Sequence, residues 1–275
     1  MGTAEKTLET MAEKIAGTYK VGDCEIELPR VEDEGLDQDE EWLWLDTGDG
    51  REKVRFHDYE RFYDVPGLYE HVFYDHLKCT SPETVCGLLE EGVRKGSPED
   101  SPELRVLDVG AGNGMVGEVL EGLGAEEIVG VDIIEEAAEA TDRDRPGVYD
   151  DYHVVDLTDI PEDVRKGLEA KNLNCLTTVA ALGFGDMPPQ AFAEAYNLVD
   201  TPGWLAFNIK QDFMDQKDET GFSGLVRSMV EEGLVDLKAK KRYLHRYSLQ
   251  GQPIYYMAFV GEKREDVPLE WMNRF

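Results

Sequence analysis

Residues 104–117, Leu-Arg-Val-Leu-Asp-Val-Gly-Ala-Gly-Asn-Gly-Met-Val-Gly, constrain the fold more than any other stretch of this 275-residue chain. Val106, Leu107 and Val109 make the short apolar run of a buried strand. Gly110, Gly112 and Gly114 follow, and a helical pattern begins at Met115. Glycines at a strand-to-helix turn reach dihedrals closed to other residues and let a ligand approach main-chain amides. The stretch therefore reads as a nucleotide-binding loop in an α/β layer. Gly112, Gly114 and Gly117 also satisfy G-x-G-x-x-G, with Asp132 about twenty residues on, which is the dinucleotide fingerprint. The glycines alone leave two cofactor classes open.

Asp108 separates them. A carboxylate ending the strand would repel a diphosphate, whereas S-adenosylmethionine carries a sulfonium and an ammonium and no phosphate. Ile128-Val129-Gly130-Val131-Asp132 is a second apolar strand ending in a carboxylate, suited to accept hydrogen bonds from both ribose hydroxyls. Tyr152-His153-Val154-Val155-Asp156-Leu157 repeats the arrangement. Any one of these aspartates could simply cap the helix that follows, but three in register point to a ligand. The Asp-x-Gly-x-Gly-x-Gly string at 108–114 resembles motif I of the class I S-adenosylmethionine-dependent methyltransferases. The resemblance implies S-adenosylmethionine as cofactor and S-adenosylhomocysteine as product. It also implies that Asp156 meets the adenine amino group while Leu157 packs on the ring. The cofactor-binding set is Asp108, Gly110, Ala111, Gly112, Asn113, Gly114, Met115, Asp132, Ile133, Asp156, Leu157 and Ala180.

Strands are expected near 104–109, 128–132, 152–155, 173–180, 203–209, 234–246 and 253–261. Helices are expected near 82–95, 115–123, 135–141, 161–171, 188–199 and 219–232. Such alternation predicts a doubly wound, Rossmann-like α/β domain with a mostly parallel seven-stranded sheet. The last two strands follow one another through Ser248-Leu249-Gln250-Gly251 with no helix between them. They predict a C-terminal antiparallel hairpin, which the methyltransferase fold has and a dinucleotide domain usually lacks. The expected organisation is an N-terminal helical and hairpin extension with a lid over 1–80, a catalytic domain over 81–265, and a tail over 266–275.

Within the extension, Leu8, Met11, Ala12 and Ile15 place an amphipathic helix at 3–16, and the acidic stretch 30–41 reads as a loop. Glu41 to Asp46, the turn Thr47-Gly48-Asp49-Gly50 and Lys53 to His57 read as a β-hairpin whose aromatics either line a substrate mouth or belong to the core. Residues 56–77 are crowded with Tyr and His, and the Tyr-Asp-rich pattern is similar to the lid of many small-molecule methyltransferases. The usual spacing is not kept, since Tyr63-Asp64 is followed by Tyr69-Glu70.

The chain holds 28 basic against 59 acidic residues, a net charge of −31. A field of that sign disfavours nucleic acid and anionic membrane, because phosphate contacts need Lys and Arg. The acids are spread throughout, as on a solvated surface adapted to high salt; attraction of a cationic substrate is the alternative. Cys24, Cys79, Cys86 and Cys175 are scattered, so neither a metal site nor a disulfide framework is expected. No leader and no apolar run near the ~20 residues of a membrane span is seen, which predicts a cytoplasmic protein.

After the fourth strand, Thr177 to Pro189 holds neither the Asn/Asp-Pro-Pro-aromatic string of exocyclic base methylation nor a Pro-Cys nucleophile. The segment Ala180 to Phe207 resembles the small methyltransferase-like group related to the Williams-Beuren-region protein, which implies fold and cofactor only. A small-molecule acceptor is therefore expected, methylated in line. Since the leaving thioether is neutral, positioning can suffice, and a base is needed only if the acceptor must lose a proton. Candidate bases are His57, Tyr69, Tyr74 and His76, then His71 and His245; Lys210 and Asp212 could also face the acceptor. Two other readings stay open: a non-catalytic S-adenosylmethionine or nucleotide sensor or partner subunit, and an NAD-binding oxidoreductase.

Overall fold

Internal contacts divide the chain into two units, Met1–Thr80 with Leu244–Tyr255, and Ser81–Tyr243 with Tyr256–Phe275. The computed structural model describes residues 11–31, 36–96, 102–183, 185–211 and 221–271.

The first unit is built on a four-stranded antiparallel meander, β1 (Gly17–Val21), β2 (Cys24–Leu28), β3 (Trp42–Asp46) and β4 (Arg51–Arg55), paired in chain order. Leu43 and Leu45 are fully buried on one face of β3, as period-two alternation requires. Trp42 and Trp44 take the other face, edge-on to one another, with Lys53 at 4.3 Å and Arg51 at 4.6 Å over their rings. These tryptophans are therefore neither core nor an open mouth; cations cover them. Helix α1 (Tyr59–Asp64) and a π-helical turn (Glu70–His76) bring Phe62, Val72 and Phe73 onto the meander's apolar face beside Phe56 and Leu68. Residues 11–15 are helical with Ile15 fully buried; the earlier part of the helix expected over 3–16 lies outside the described residues. Glu41 and Arg246, 1% and 2% exposed, form an ion pair at 2.6 Å, and Glu41 also accepts the amide of Leu249.

The second unit begins with α2 (Ser81–Gly96). Strand then alternates with helix through β5 (Arg105–Val109), α3 (Met115–Gly122), β6 (Glu127–Asp132), α4 (Glu135–Asp144), β7 (Asp151–Val154), α5 (Glu162–Ala170), β8 (Cys175–Thr178), α6 (Pro189–Asn197), β9 (Gly203–Lys210) and α7 (Phe222–Glu231). The hairpin β10 (Val235–Tyr247) and β11 (Pro253–Lys263) ends the succession. The seven strands lie in the order β10-β11-β9-β8-β5-β6-β7. Neighbours from β9 to β7 are parallel, and β11 runs antiparallel to β9.

Side chains alternate between the two faces of this sheet. Leu107, Val109, Val131, Leu176, Leu205 and Phe207 pack with Phe192 and Phe222 from α6 and α7 in the larger core cluster. The opposite face carries Asp108, Thr177 and Asn208 among its apolar residues. There α2 comes close at Gly92, where a Cβ would stand 2.9 Å from Val260 Cγ1. The strand order reverses between β5 and β8, and the crevice beyond the carboxyl ends of the strands at such a point is where open α/β sheets bind ligands.

Candidate functional site

The glycine loop leaves β5 at this reversal. Gly110, Gly112 and Gly114 all have positive φ (70°, 55° and 87°), a region that costs other residues 1 kcal/mol or more. Gly110 is doubly required, since its Cβ would fall 2.5 Å from Ala181 Cβ in the segment after β8. The amides of Gly110 and Ala111 both donate to the Val131 carbonyl at the end of β6, at 2.9 and 3.2 Å.

Asp132 ends β6 and is half-buried. Its Oδ2 accepts the Gly112 amide at 2.9 Å and its Oδ1 the Ile134 amide at 3.1 Å. Burial raises its pKa above the ordinary carboxylate value, and these amides pull it back down. Each oxygen keeps acceptor capacity for a further donor. Beside it Ile133 is 63% exposed, an unusual place for a large apolar side chain.

Asp108 differs from its expected role. It is 1% exposed, and both of its oxygens are taken: Tyr149 Oη donates to Oδ2 and Thr177 Oγ1 to Oδ1, each at 2.7 Å. It faces the sheet's interior layer, not open solvent. Asp156 differs too. It is exposed, two residues past β7, and its Oδ1 accepts both the amide and the hydroxyl of Thr158, at 2.8 and 2.7 Å. That is an Asx-type turn, which lowers its pKa through the Thr158 hydrogen bonds. Leu157 is 5% exposed and sits in the core cluster, turned away from solvent.

Around the loop stand residues that the sequence pattern did not single out. The carbonyl of Gly112 accepts from Tyr152 Oη at 2.8 Å and Thr141 Oγ1 at 2.9 Å, and that of Asn113 from Arg145 at 3.0 Å. The Arg145 guanidinium also lies against the sulfur of Met115. The ring of Tyr149 sits where a Cβ on Gly117 would be, 2.8 Å from its Cζ, and Tyr152 stands likewise against Gly130. The third glycine of the dinucleotide-like spacing thus makes room for Tyr149. On the other side Ala180, at φ 58°, donates its amide to Asn208 Oδ1 at 2.6 Å, and Ser81 and Tyr243 share the buried network of Asn208.

The structure therefore brings Asp108, Gly110 to Met115, Asp132, Ile133 and Ala180 together at the ends of β5, β6 and β8, with Asp156 after β7. The base candidates belong to the first unit. His57 and Tyr59 rings are 5.4 Å apart, and Tyr69 packs against Tyr63, Phe73 and Tyr74. His71 and His76 face each other through Nε2 at 3.1 Å, and burial, then His71, lowers the pKa of His76. His245 is buried, its pKa well below the ordinary value through desolvation and Arg246, with Cys79 Sγ 3.9 Å from its Nδ1. In the second unit Lys210 closes β9, while Asp212 lies outside the described residues.

Residues 107–207, which run from the strand before the glycine loop to β9, match the family model described as a methyltransferase domain. The match spans less than half of the chain and shows a likeness to methyltransferase domains over that segment. No curated protein matches the sequence. Among solved structures it is similar to the magnesium protoporphyrin IX methyltransferase of Synechocystis PCC 6803 with bound SAM, at 17% identity over 66% of this chain and 79% of that one (TM-score 0.45). It is also similar to SAM-dependent methyltransferases from Anabaena variabilis, at 10% identity over 75% and 93% (TM-score 0.48), and from Methanosarcina mazei, at 12% over 60% and 95% (TM-score 0.44). These likenesses are loose and assign no activity to this chain. Among the described residues no helix is long and apolar enough to cross a membrane.

Proposed function

We propose that this protein transfers the methyl group of S-adenosylmethionine in line to a small-molecule acceptor in a reducing, cytoplasmic setting. The observation that carries the reading is Asp132: a carboxylate at the end of β6 with one main-chain amide on each oxygen, beside an exposed Ile133. That pair suits a nucleoside, with the carboxylate accepting from the ribose hydroxyls and Ile133 covering the face of the adenine. The glycine loop supplies close main-chain approach without a side chain. Asp108 acts behind the loop, holding Tyr149 and Thr177, and it balances the sulfonium only through the field. Asp156 fixes the turn after β7, and its unshared oxygen can still meet a donor on the base.

When bound, the cofactor supplies a methyl group on a positively charged sulfur with a neutral leaving group. The chain's part is to hold donor and acceptor in line and keep water away. His57, Tyr69 and Tyr74 are the base candidates for an acceptor that must lose a proton; His76 is engaged with His71. The acid excess of the surface disfavours nucleic acid as acceptor, and the four free cysteines fit a reducing compartment. Gly117 is accounted for by its packing against Tyr149 and needs no ligand.

Incubation with methyl-deuterated S-adenosylmethionine and a small-molecule extract, followed by mass spectrometry, tests the proposal. The expected result is a labelled small product together with S-adenosylhomocysteine. Cofactor binding with no labelled product from small molecules, macromolecules or extract would make the chain a sensor and overturn the catalytic reading.

A further inference from the structure

In the first unit, outside the cofactor site, two imidazoles are arranged as ligands. His71 and His76 lie five residues apart in the π-helical turn Glu70–His76. On an α-helix residues at that spacing diverge, whereas a π turn closes its hydrogen bonds over five residues and brings them onto one side. The bond from the Leu77 amide to the Val72 carbonyl, at 3.0 Å, closes the turn in this way. Such turns are frequent at functional sites.

The two Nε2 atoms are 3.1 Å apart, with ring centroids at 4.6 Å and planes at 74°. A head-on N–H···N bond would set the centroids farther apart, at the nitrogen separation plus both ring radii. The nitrogens are therefore inclined to one another. Two zinc–nitrogen bonds of about 2.0–2.1 Å spanning this gap would enclose roughly 100°, close to a tetrahedral angle. On the far side of His71, Asp75 Oδ2 stands 3.5 Å from Nδ1. A carboxylate behind the ligating imidazole is how metal-binding histidines are commonly oriented. Tyr19 packs on His76 with centroids 3.9 Å apart and holds that ring in place. The His71 side chain is 25% exposed, so water can reach the pair, and a net charge of −31 concentrates cations at the surface.

We propose that His71 and His76 form an open binding site for a divalent transition-metal ion of the zinc, nickel or copper class, with water completing its coordination. Imidazole suits these ions and not the hard cations magnesium or calcium. Among the described residues no third His, Cys, Asp or Glu joins the pair, so binding is reversible and not that of a closed structural site. The bound ion would pin the π turn and commit both imidazoles as ligands.

Calorimetry of the full chain with zinc or nickel chloride, with excess magnesium present to occupy the acidic surface, tests this. One saturable site is expected. His71→Asn and His76→Gln should each weaken it at least tenfold, Asp75→Asn should weaken it less, and His57→Ala should leave it unchanged. In the unsubstituted protein, substoichiometric nickel should broaden the ring proton signals of His71 and His76 first, which does not depend on any variant folding. Absence of a saturable site, equal binding by the His71→Asn/His76→Gln double variant, or broadening that begins elsewhere would each overturn the proposal and leave the pair as a hydrogen-bonded couple.

Discussion

Asp108 sits fully enclosed behind the glycine loop, and burial pushes its pKa up to about 6 even though Tyr149 and Thr177 donate to it. A folded value above the ordinary 3.8 means that the folded protein binds this proton more tightly than the unfolded chain. Its contribution is therefore most favourable at low pH, is lost as pH rises from about 4 to about 6, and is flat above that. Asp108→Asn keeps an oxygen acceptor and removes the charge. In urea denaturation across pH 4 to 8 the variant should lack that loss and be the more stable protein above pH 6.5, by on the order of 1–3 kcal/mol. Superimposable profiles would show that the Asp108 charge costs the fold nothing. Asp132 makes the opposite case, a half-buried carboxylate at the open end of a strand. Asp132→Ala should weaken S-adenosylmethionine binding by about 1.5–3 kcal/mol in calorimetry, the range for a charged acceptor. An unchanged affinity would leave Asp132 as a brace for Gly112 alone.

At the scale of elements, the loop is held by tyrosines that arrive from the segment before β7 and from β7 itself. Gly117→Ala puts a methyl group against the tip of Tyr149 and should cost about 1–3 kcal/mol. In a Tyr149→Leu background, where the ring tip is gone, the same change should cost less; equal costs in both backgrounds would refute the packing role of Gly117. The strands and helices of the parallel sheet were legible because each carries its own periodicity, and the glycine turn because only glycine meets its dihedrals. The bracing tyrosines were not, because Tyr149 and Tyr152 meet the loop only through tertiary contact, some forty residues along the chain. The β1–β2 hairpin was missed although Gly22-Asp23 sits between Val21 and Cys24, which pair in register, and Gly-Asp is a two-residue hairpin signal. Asp108 was located correctly in its strand, but sequence cannot tell a carboxylate that faces a ligand from one that takes two hydroxyls in the layer below.

At the scale of the whole molecule, an excess of acids spread over both units sets self-repulsion against folding. If the surface is adapted to salt, unfolding temperature should rise between low and molar potassium chloride, because screening acts on this repulsion first; a flat or falling response would favour attraction of a cationic partner. Both units are constrained by long-range contacts, the first through the buried pair Glu41 and Arg246 and the second through the core shared by β5, β8 and β9 with α6 and α7. The proposed function depends first on which cofactor binds. Titration calorimetry of the intact chain with S-adenosylmethionine, S-adenosylhomocysteine and NAD measures it most directly. Saturable binding of both sulfur ligands with no response to NAD is the predicted result. Tight NAD binding with no response to either sulfur ligand would contradict it.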